Sequence, residues 1–262
     1  MLLNFLKKNK HALFALYIPV YMHFFTWLEA RNDVSFQPIH CFIDAIIPFN
    51  ELFVIPYILW FLYVLVVIVY LYFQKDHLED YYHCVITLIT GMTTCLLIYY
   101  FFPNEQNLRP ETFAHPNILT DIVQFIYDSD THTNVFPSIH VFNAVAIHVA
   151  LVTSPRIKKI KWLRPASLLL CSLICLSTMF LKQHSFLDVI AALLLYLLYA
   201  TLIYKVIPQW KKKKNAVRLT INMTALFAST IYTNDLYSFS HSFPFLTFMR
   251  MICTSLGIHS FF

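Results

Sequence analysis

Long uninterrupted apolar runs set the character of this chain, more than any alternation of apolar and polar positions. Leu52–Phe73 passes 22 positions without a charged residue, and His83–Phe102 passes 20. A bilayer core of ~30 Å is crossed by about 20 residues of helix, and lipid offers no partner for open backbone groups, so such runs have to be helical. The pattern predicts spans near 11–28, 51–73, 82–102, 136–153, 165–182 and 185–207. The expected fold class is all-α: a polytopic membrane protein built as a six-transmembrane-helix bundle. Between the third and fourth spans, Ile118, Leu119, Ile122, Phe125 and Ile126 form a helical stripe beside Asp121 and Gln124. That spacing predicts a short outer interfacial helix. Residues 1–210 are expected to form the membrane domain. Residues 211–262 form a basic anchor and an apolar tail, and from Leu219 onward the only charges are Asp235 and Arg250. Extra spans, a re-entrant hairpin and interfacial helices all remain open for that tail.

Composition agrees with the pattern. Of 262 residues, 58% are hydrophobic, 13% are charged and 2 are glycine, whereas a soluble domain has roughly a quarter of its residues charged. The net charge of +5 matters less than its placement. With an inner N-terminus and six alternating spans, 15 basic residues fall inside and only Arg31, Arg109 and Lys182 fall outside. This positive-inside bias supports six spans. It also assigns the lysine clusters to topology and anionic headgroups, and not to nucleic acid. The N-terminal lysines before an apolar stretch imitate a signal peptide. The stretch is long, however, and Leu28-Glu29-Ala30 is a poor cleavage site, so a retained span is expected. The 6 cysteines show no metal-ligand spacing and are expected to pack as small hydrophobes. His115, His132, Asp128 and Asp130 match no compact metal motif, and no metal or cofactor is expected. The sequon at Asn222 follows an inner lysine cluster and is set aside.

The same topology gathers scattered polar residues at the outer face: Arg109-Pro110 after the third span, Pro137-Ser138-Ile139-His140 at the start of the fourth, and Lys182-Gln183-His184 with Asp188 between the fifth and sixth. The fourth and sixth spans both present helix N-termini there, where free N–H groups and a partial positive charge suit an anion. Arg109 and Lys182 would add full charges. His184 and Asp188 lie four apart on one helix face. A carboxylate holding one imidazole nitrogen leaves the other free to attack phosphorus, and His140 could protonate the departing oxygen. Each residue also has a plainer reading. Histidines near an interface are commonly satisfied polar residues, and a cation at a span end commonly anchors it.

The pattern RP, PSxH and HxxxD, carried by Arg109-Pro110, Pro137–His140 and His184–Asp188, resembles the three-part signature of the type 2 phosphatidic acid phosphatase superfamily. The resemblance implies six spans and an outward-facing site that cleaves or transfers lipid-linked phosphate through a phosphohistidine, without metal. It implies that His184 is the nucleophile, His140 the acid and Asp188 the orienting partner, with Arg109, Ser138 and the Ile139 N–H binding phosphate. The sequence departs from the family pattern at Phe102, where Lys is usual, at Ile139, where Gly is usual, and at Thr178, where Arg is usual. Lys182 is expected to replace one lost charge. Lys182-Gln183-His184 and the Ile47-Pro48-Phe49 segment resemble a bacterial branch grouped with inositol phosphorylceramide synthases, implying a bacterial plasma membrane.

Three functions follow as expectations: a phosphatase acting on a lipid phosphomonoester or diphosphate at the outer leaflet, a lipid phosphotransferase using the same intermediate, and a non-catalytic lipid-binding or transport protein. The partners expected are the lipid phosphate and membrane lipids. Residues 31–50 and 103–135 are expected to roof the pocket.

Overall fold

The computed structural model describes residues 16–206. The apolar tail from 219, the Lys211–Lys214 run and the first part of the span expected at 11–28 lie outside the described residues. Two compact units divide the chain, 21–200 and the remainder. The described parts of the remainder are residues 16–20, in the opening of the first helix, and a π-helical turn over Thr201–Val206.

Eight α-helices make up most of the described chain. They are α1 (Tyr17–Glu29), α2 (Phe42–Ile46), α3 (Val54–Phe73), α4 (Leu78–Phe101), α5 (Ile118–Ser129), α6 (Ile139–Thr153), α7 (Leu163–Phe180) and α8 (Phe186–Ala200). Four described segments are long and apolar enough to cross a membrane: Glu51–Phe73, Leu78–Phe101, Leu163–Phe180 and Phe186–Ile203. The fourth expected span is shorter than its apolar run suggested. At 15 residues, α6 rises about 22 Å, less than a full hydrocarbon core. It is the hub of the bundle, packed against α3, α4, α7 and α8. A helix enclosed by others need not match the lipid thickness.

Burial separates interior from periphery. Of the most apolar stretch of each segment, 72% of positions are buried in Leu78–Phe101 and 22% in Glu51–Phe73. The exposed positions of α3 include Ile58, Phe61, Leu62, Leu65 and Val69. Such a face in water would be a large apolar patch. Against acyl chains it is the expected surface, and these apolar helices are consistent with an integral membrane protein.

Where apolar contact confers no advantage over lipid, close packing and polar pairs hold helices together. The small residues Ala144, Ala146 and Ala150 are buried on α6. Gly91 of α4 faces Phe142 of α6 so closely that a β-carbon there would fall inside the ring's van der Waals surface, nearest Cζ. Ser167 of α7 joins Tyr63 OH of α3 at 2.6 Å and His148 Nδ1 of α6 at 2.8 Å. Thr94 of α4 meets Tyr199 OH of α8 at 2.6 Å. Thr87 and Thr90 each donate to the carbonyl four residues earlier, at 2.7 Å, so their buried hydroxyls are satisfied within α4.

The two ends of the bundle differ. At one end Arg156 Nη2 meets Asp76 Oδ2 at 3.0 Å, joining the α3–α4 and α6–α7 turns. At the other, three connections are stitched together. A two-residue parallel ladder pairs Gln37 with Asn104 and Pro38 with Glu105, and Glu105 also bridges to Thr133. Asn104 Oδ1 accepts from the N–H groups of Val135 and Phe136, both at 2.8 Å, while its Nδ2 donates to Phe102 O at 2.7 Å. Above this end lies α5, where the stripe predicted a helix. Val123 is buried in a cluster with Val54, Tyr57 and Leu181, while Ile118 and Phe125 stay exposed.

Candidate active site

The stitched end of the bundle brings the N-termini of α6 and α8 side by side. Ser138, the N-cap of α6, donates its N–H to Asp188 O at 3.2 Å, and its Oγ accepts from Val141 N. From opposite sides of this junction His140 and His184 face each other. His184 Nδ1 lies 3.3 Å from Asp188 Oδ2, and His184 Nε2 lies 3.4 Å from His140 Nδ1. His140 Nε2 lies 3.2 Å from Tyr57 OH, and the Trp60 ring sits 4.5 Å from the His140 ring. With Asp188 as a carboxylate, one placement of protons satisfies these three contacts. Tyr57 O–H donates to His140 Nε2, His140 Nδ1–H to His184 Nε2, and His184 Nδ1–H to Asp188. The i, i+4 relation read from the sequence thus becomes a carboxylate–imidazole–imidazole relay. His184 sits just before α8, where burial drives its pKa down to about 3 against the opposing pull of the Val135 carbonyl. The imidazole is neutral at ordinary pH, the form a nucleophile requires.

Holding the relay in place is a residue that motif reading passed over. Asp44, buried in α2, accepts from Ser185 Oγ at 2.6 Å and Cys41 N at 2.7 Å through Oδ2, and from Phe186 N at 2.7 Å through Oδ1. It thereby satisfies an N–H at the start of α8. The available signal was a lone carboxylate inside the apolar run Phe42–Ile47, which has to find partners. Nothing in the sequence distinguished Tyr57 or Trp60 from other aromatic residues of a span.

The two expected phosphate cations sit differently from what their positions suggested. Lys182, in the left-handed region at φ 52°, extends its ammonium to Asp44 O at 2.8 Å and to Ile47 O. The contact ties α2 to the α7–α8 turn and leaves Lys182 off the cavity wall. Arg109 is also set behind the wall. Its Nη1 donates to Tyr127 O at 3.1 Å and Asp130 O at 2.9 Å, and its Nη2 donates to Thr131 O and Gln183 Oε1, both at 2.8 Å. Tyr127 stacks beneath it, with Cζ 4.6 Å from the ring centroid.

The relay opens on a cavity of about 490 Å³. Tyr21, Phe25, Ile58, Phe61 and Ile126 line its apolar part, while Glu29, Asp130, Asn134, Gln183 and Ile139 join the two histidines at its polar end. The Asp130 carboxyl is pushed up to about 7 by burial and by the neighbouring Glu29, with which it hydrogen-bonds, against the pull of Arg109. An elongated apolar chain with a polar terminus suits a space of this composition.

No curated protein and no solved structure matches this chain. Residues 106–212, which include Arg109, Ser138, His140, His184 and Asp188, match the family model described as the PAP2 superfamily. Over that stretch, relay included, the chain is similar to the PAP2 superfamily.

Proposed function

We propose that this chain is a membrane enzyme that cleaves or transfers a lipid-linked phosphate through a phosphohistidine on His184. The superfamily match supports a phosphatase- or phosphotransferase-type activity on a phosphorylated substrate. The observation that carries the finer reading is the relay itself, Asp188–His184–His140 with contacts of 3.3 and 3.4 Å, at the buried polar end of an apolar cavity.

The lipid tail occupies the apolar part of the cavity and its phosphate approaches the histidines. Asp188 holds His184 Nδ1–H, so that the Nε2 lone pair attacks phosphorus. His140 enters this step as an imidazolium, having taken up a proton with the anionic substrate so that its Nε2–H donates to Tyr57 Oη. As the P–O bond breaks, it delivers its Nδ1 proton to the departing alkoxide. His140, now neutral in its turn, takes a proton from an incoming hydroxyl whose oxygen attacks the phosphohistidine and restores His184. Ser138 and the backbone N–H groups at the start of α6 complement charge on the phosphoryl oxygens. Water as the acceptor gives a phosphatase, and an alcohol gives a transferase. Transfer is favoured by the burial of His184 and by a largely apolar cavity, which limit access for water.

Residues 1–210 are the catalytic membrane domain in this reading. The 15 to 3 distribution of basic residues supports an extracytoplasmic site with a cytoplasmic N-terminus. The test is phosphorus-labelled lipid incubated with purified full-length protein, quenched and assayed for acid-labile, alkali-stable label on the chain. Label in the wild type and none in His184→Ala is the expected result. Turnover by His184→Ala in a clean background would remove the assignment.

A further inference from the structure

The phosphate site has lost its free cations. Phe102 and Thr178 stand where the resembled family carries Lys and Arg, and Lys182 is held by the carbonyls of Asp44 and Ile47. Arg109 donates four of its N–H groups to the carbonyls of Tyr127, Asp130 and Thr131 and to Gln183, which leaves Nε buried without a partner. The residue on the cavity wall is Gln183, only 3% exposed and next to His184 in the chain. Arg109 can only donate, so Gln183 must turn Oε1 toward it. That contact fixes the amide and leaves Nε2, which has no partner, on the other side. Asn134, 4% exposed, also lines the cavity and has neither amide atom bonded. Trp60 also lines the cavity, and its Nε1 is a third buried donor without a partner. Glu29 and Asp130 line the same cavity and bring carboxylates.

We propose that Gln183, oriented and polarised by Arg109, is the donor that meets the phosphoryl group, and that the site is built for a phosphate of single negative charge, a phosphodiester lipid. Unpartnered neutral donors complement one delocalised charge. With two carboxylates on the wall and the one nearby guanidinium turned into the loop, a dianion is poorly compensated. A phosphomonoester, whose second pKa is about 6, is mostly a dianion at neutral pH. A phosphodiester is a monoanion throughout. His184 Nε2 bonds to phosphorus, one ester P–O bond breaks, and His140 protonates the departing alcohol. A second alcohol or water then takes the phosphoryl group from His184. The proposal rests on the phosphohistidine reading above.

The experiment uses full-length protein in detergent at pH 8 with matched acyl chains. It compares phosphatidic acid with phosphatidylglycerol, phosphatidylethanolamine and phosphatidylinositol, with glycerol present as acceptor, and follows loss of parent lipid by mass spectrometry. At least one diester should exceed phosphatidic acid tenfold or more in kcat/KM. That ratio should collapse toward one at pH 5, where the monoester is itself a monoanion. Glu29 and Asp130 face both kinds of lipid, so their titration divides out of the ratio. Gln183→Glu keeps the side-chain length and an oxygen for Arg109 but replaces the free NH2 with an anion. Its diester turnover should fall about a hundredfold at an unchanged melting temperature, which a merely structural role would not produce. Faster use of phosphatidic acid at pH 8, or wild-type kinetics in a folded Gln183→Glu, would overturn this proposal while leaving the phosphohistidine intact. Consumption of no lipid, or undiminished consumption by His184→Ala, would remove both.

Discussion

His140 Nδ1 and His184 Nε2 stand 3.4 Å apart, so the Nε2 lone pair of His184 is occupied by the N–H of His140. In-line displacement puts the entering nitrogen and the leaving oxygen on opposite sides of phosphorus, and no phosphoryl group fits between atoms this close. Under the proposed phosphohistidine mechanism, substrate entry therefore parts the two rings. In the proposed mechanism the proton donor is stored against the nucleophile and is released by the group it will act on. His140→Ala should lower turnover of a natural lipid about 10²–10⁴-fold, the usual range for loss of a general acid. A nitrophenyl phosphate, whose leaving group needs no proton, should be spared most of that loss. An equal loss on both substrates would contradict the assignment of His140 as acid.

Tyr57 governs where His140 goes. Its hydroxyl is 3.2 Å from His140 Nε2, and a neutral hydrogen bond of this kind is worth roughly 1 kcal/mol. Tyr57→Phe keeps the ring that packs on the imidazole. We expect kcat to fall about five- to tenfold with KM nearly unchanged. A rise in KM alone would mean that Tyr57 touches substrate instead.

Asp44 is the larger structural dependency. Removing its charge strands Ser185 Oγ, Phe186 N and Cys41 N in a buried junction. Asp44→Ala should cost about 2–4 kcal/mol, combining a lost cap with unpaired buried donors. Thermal unfolding in detergent should show a lower melting temperature, with activity falling even in the surviving folded fraction. An unchanged melting temperature would place the work of holding α8 elsewhere.

Asp130 supplies a pH dependence. Folding raises its pKa from 3.8 to about 7. The folded chain therefore holds this proton more tightly than the unfolded one, and stability from this group is full below about pH 4 and is lost as the pH climbs toward 7. The same deprotonation adds negative charge to the cavity wall. KM for an anionic lipid should rise as the pH passes about 7, and Asp130→Asn, which leaves the carbonyl that Arg109 uses intact, should flatten the rise. An unaltered profile in the variant would assign it to another group.

The long helices were legible because uncharged runs such as Leu52–Phe73 admit one conformation in lipid. The order of the motifs carried His140, His184 and Asp188, since the i, i+4 spacing of the last two is a local geometric fact. Lys182 was not legible in the same way. Its backbone φ and the reach of its ammonium depend on carbonyls contributed from 135 and 138 residues away. Asp44 meets Ser185 across 141 residues, which no local pattern encodes. The role of Gln183 required knowing which way Arg109 faces.

The fit of Phe142 against Gly91 reaches beyond packing. Phe142 follows His140 by two residues, on nearly the opposite side of α6, and its ring seats where α4 has no side chain. The ring works as a key in a slot, fixing the turn and height of the shaft that carries His140. A methyl group at position 91 would act as a lever from the far side of that helix, displacing His140 without entering the cavity. Some residues that control the chemistry of such a site thus lie where no substrate goes.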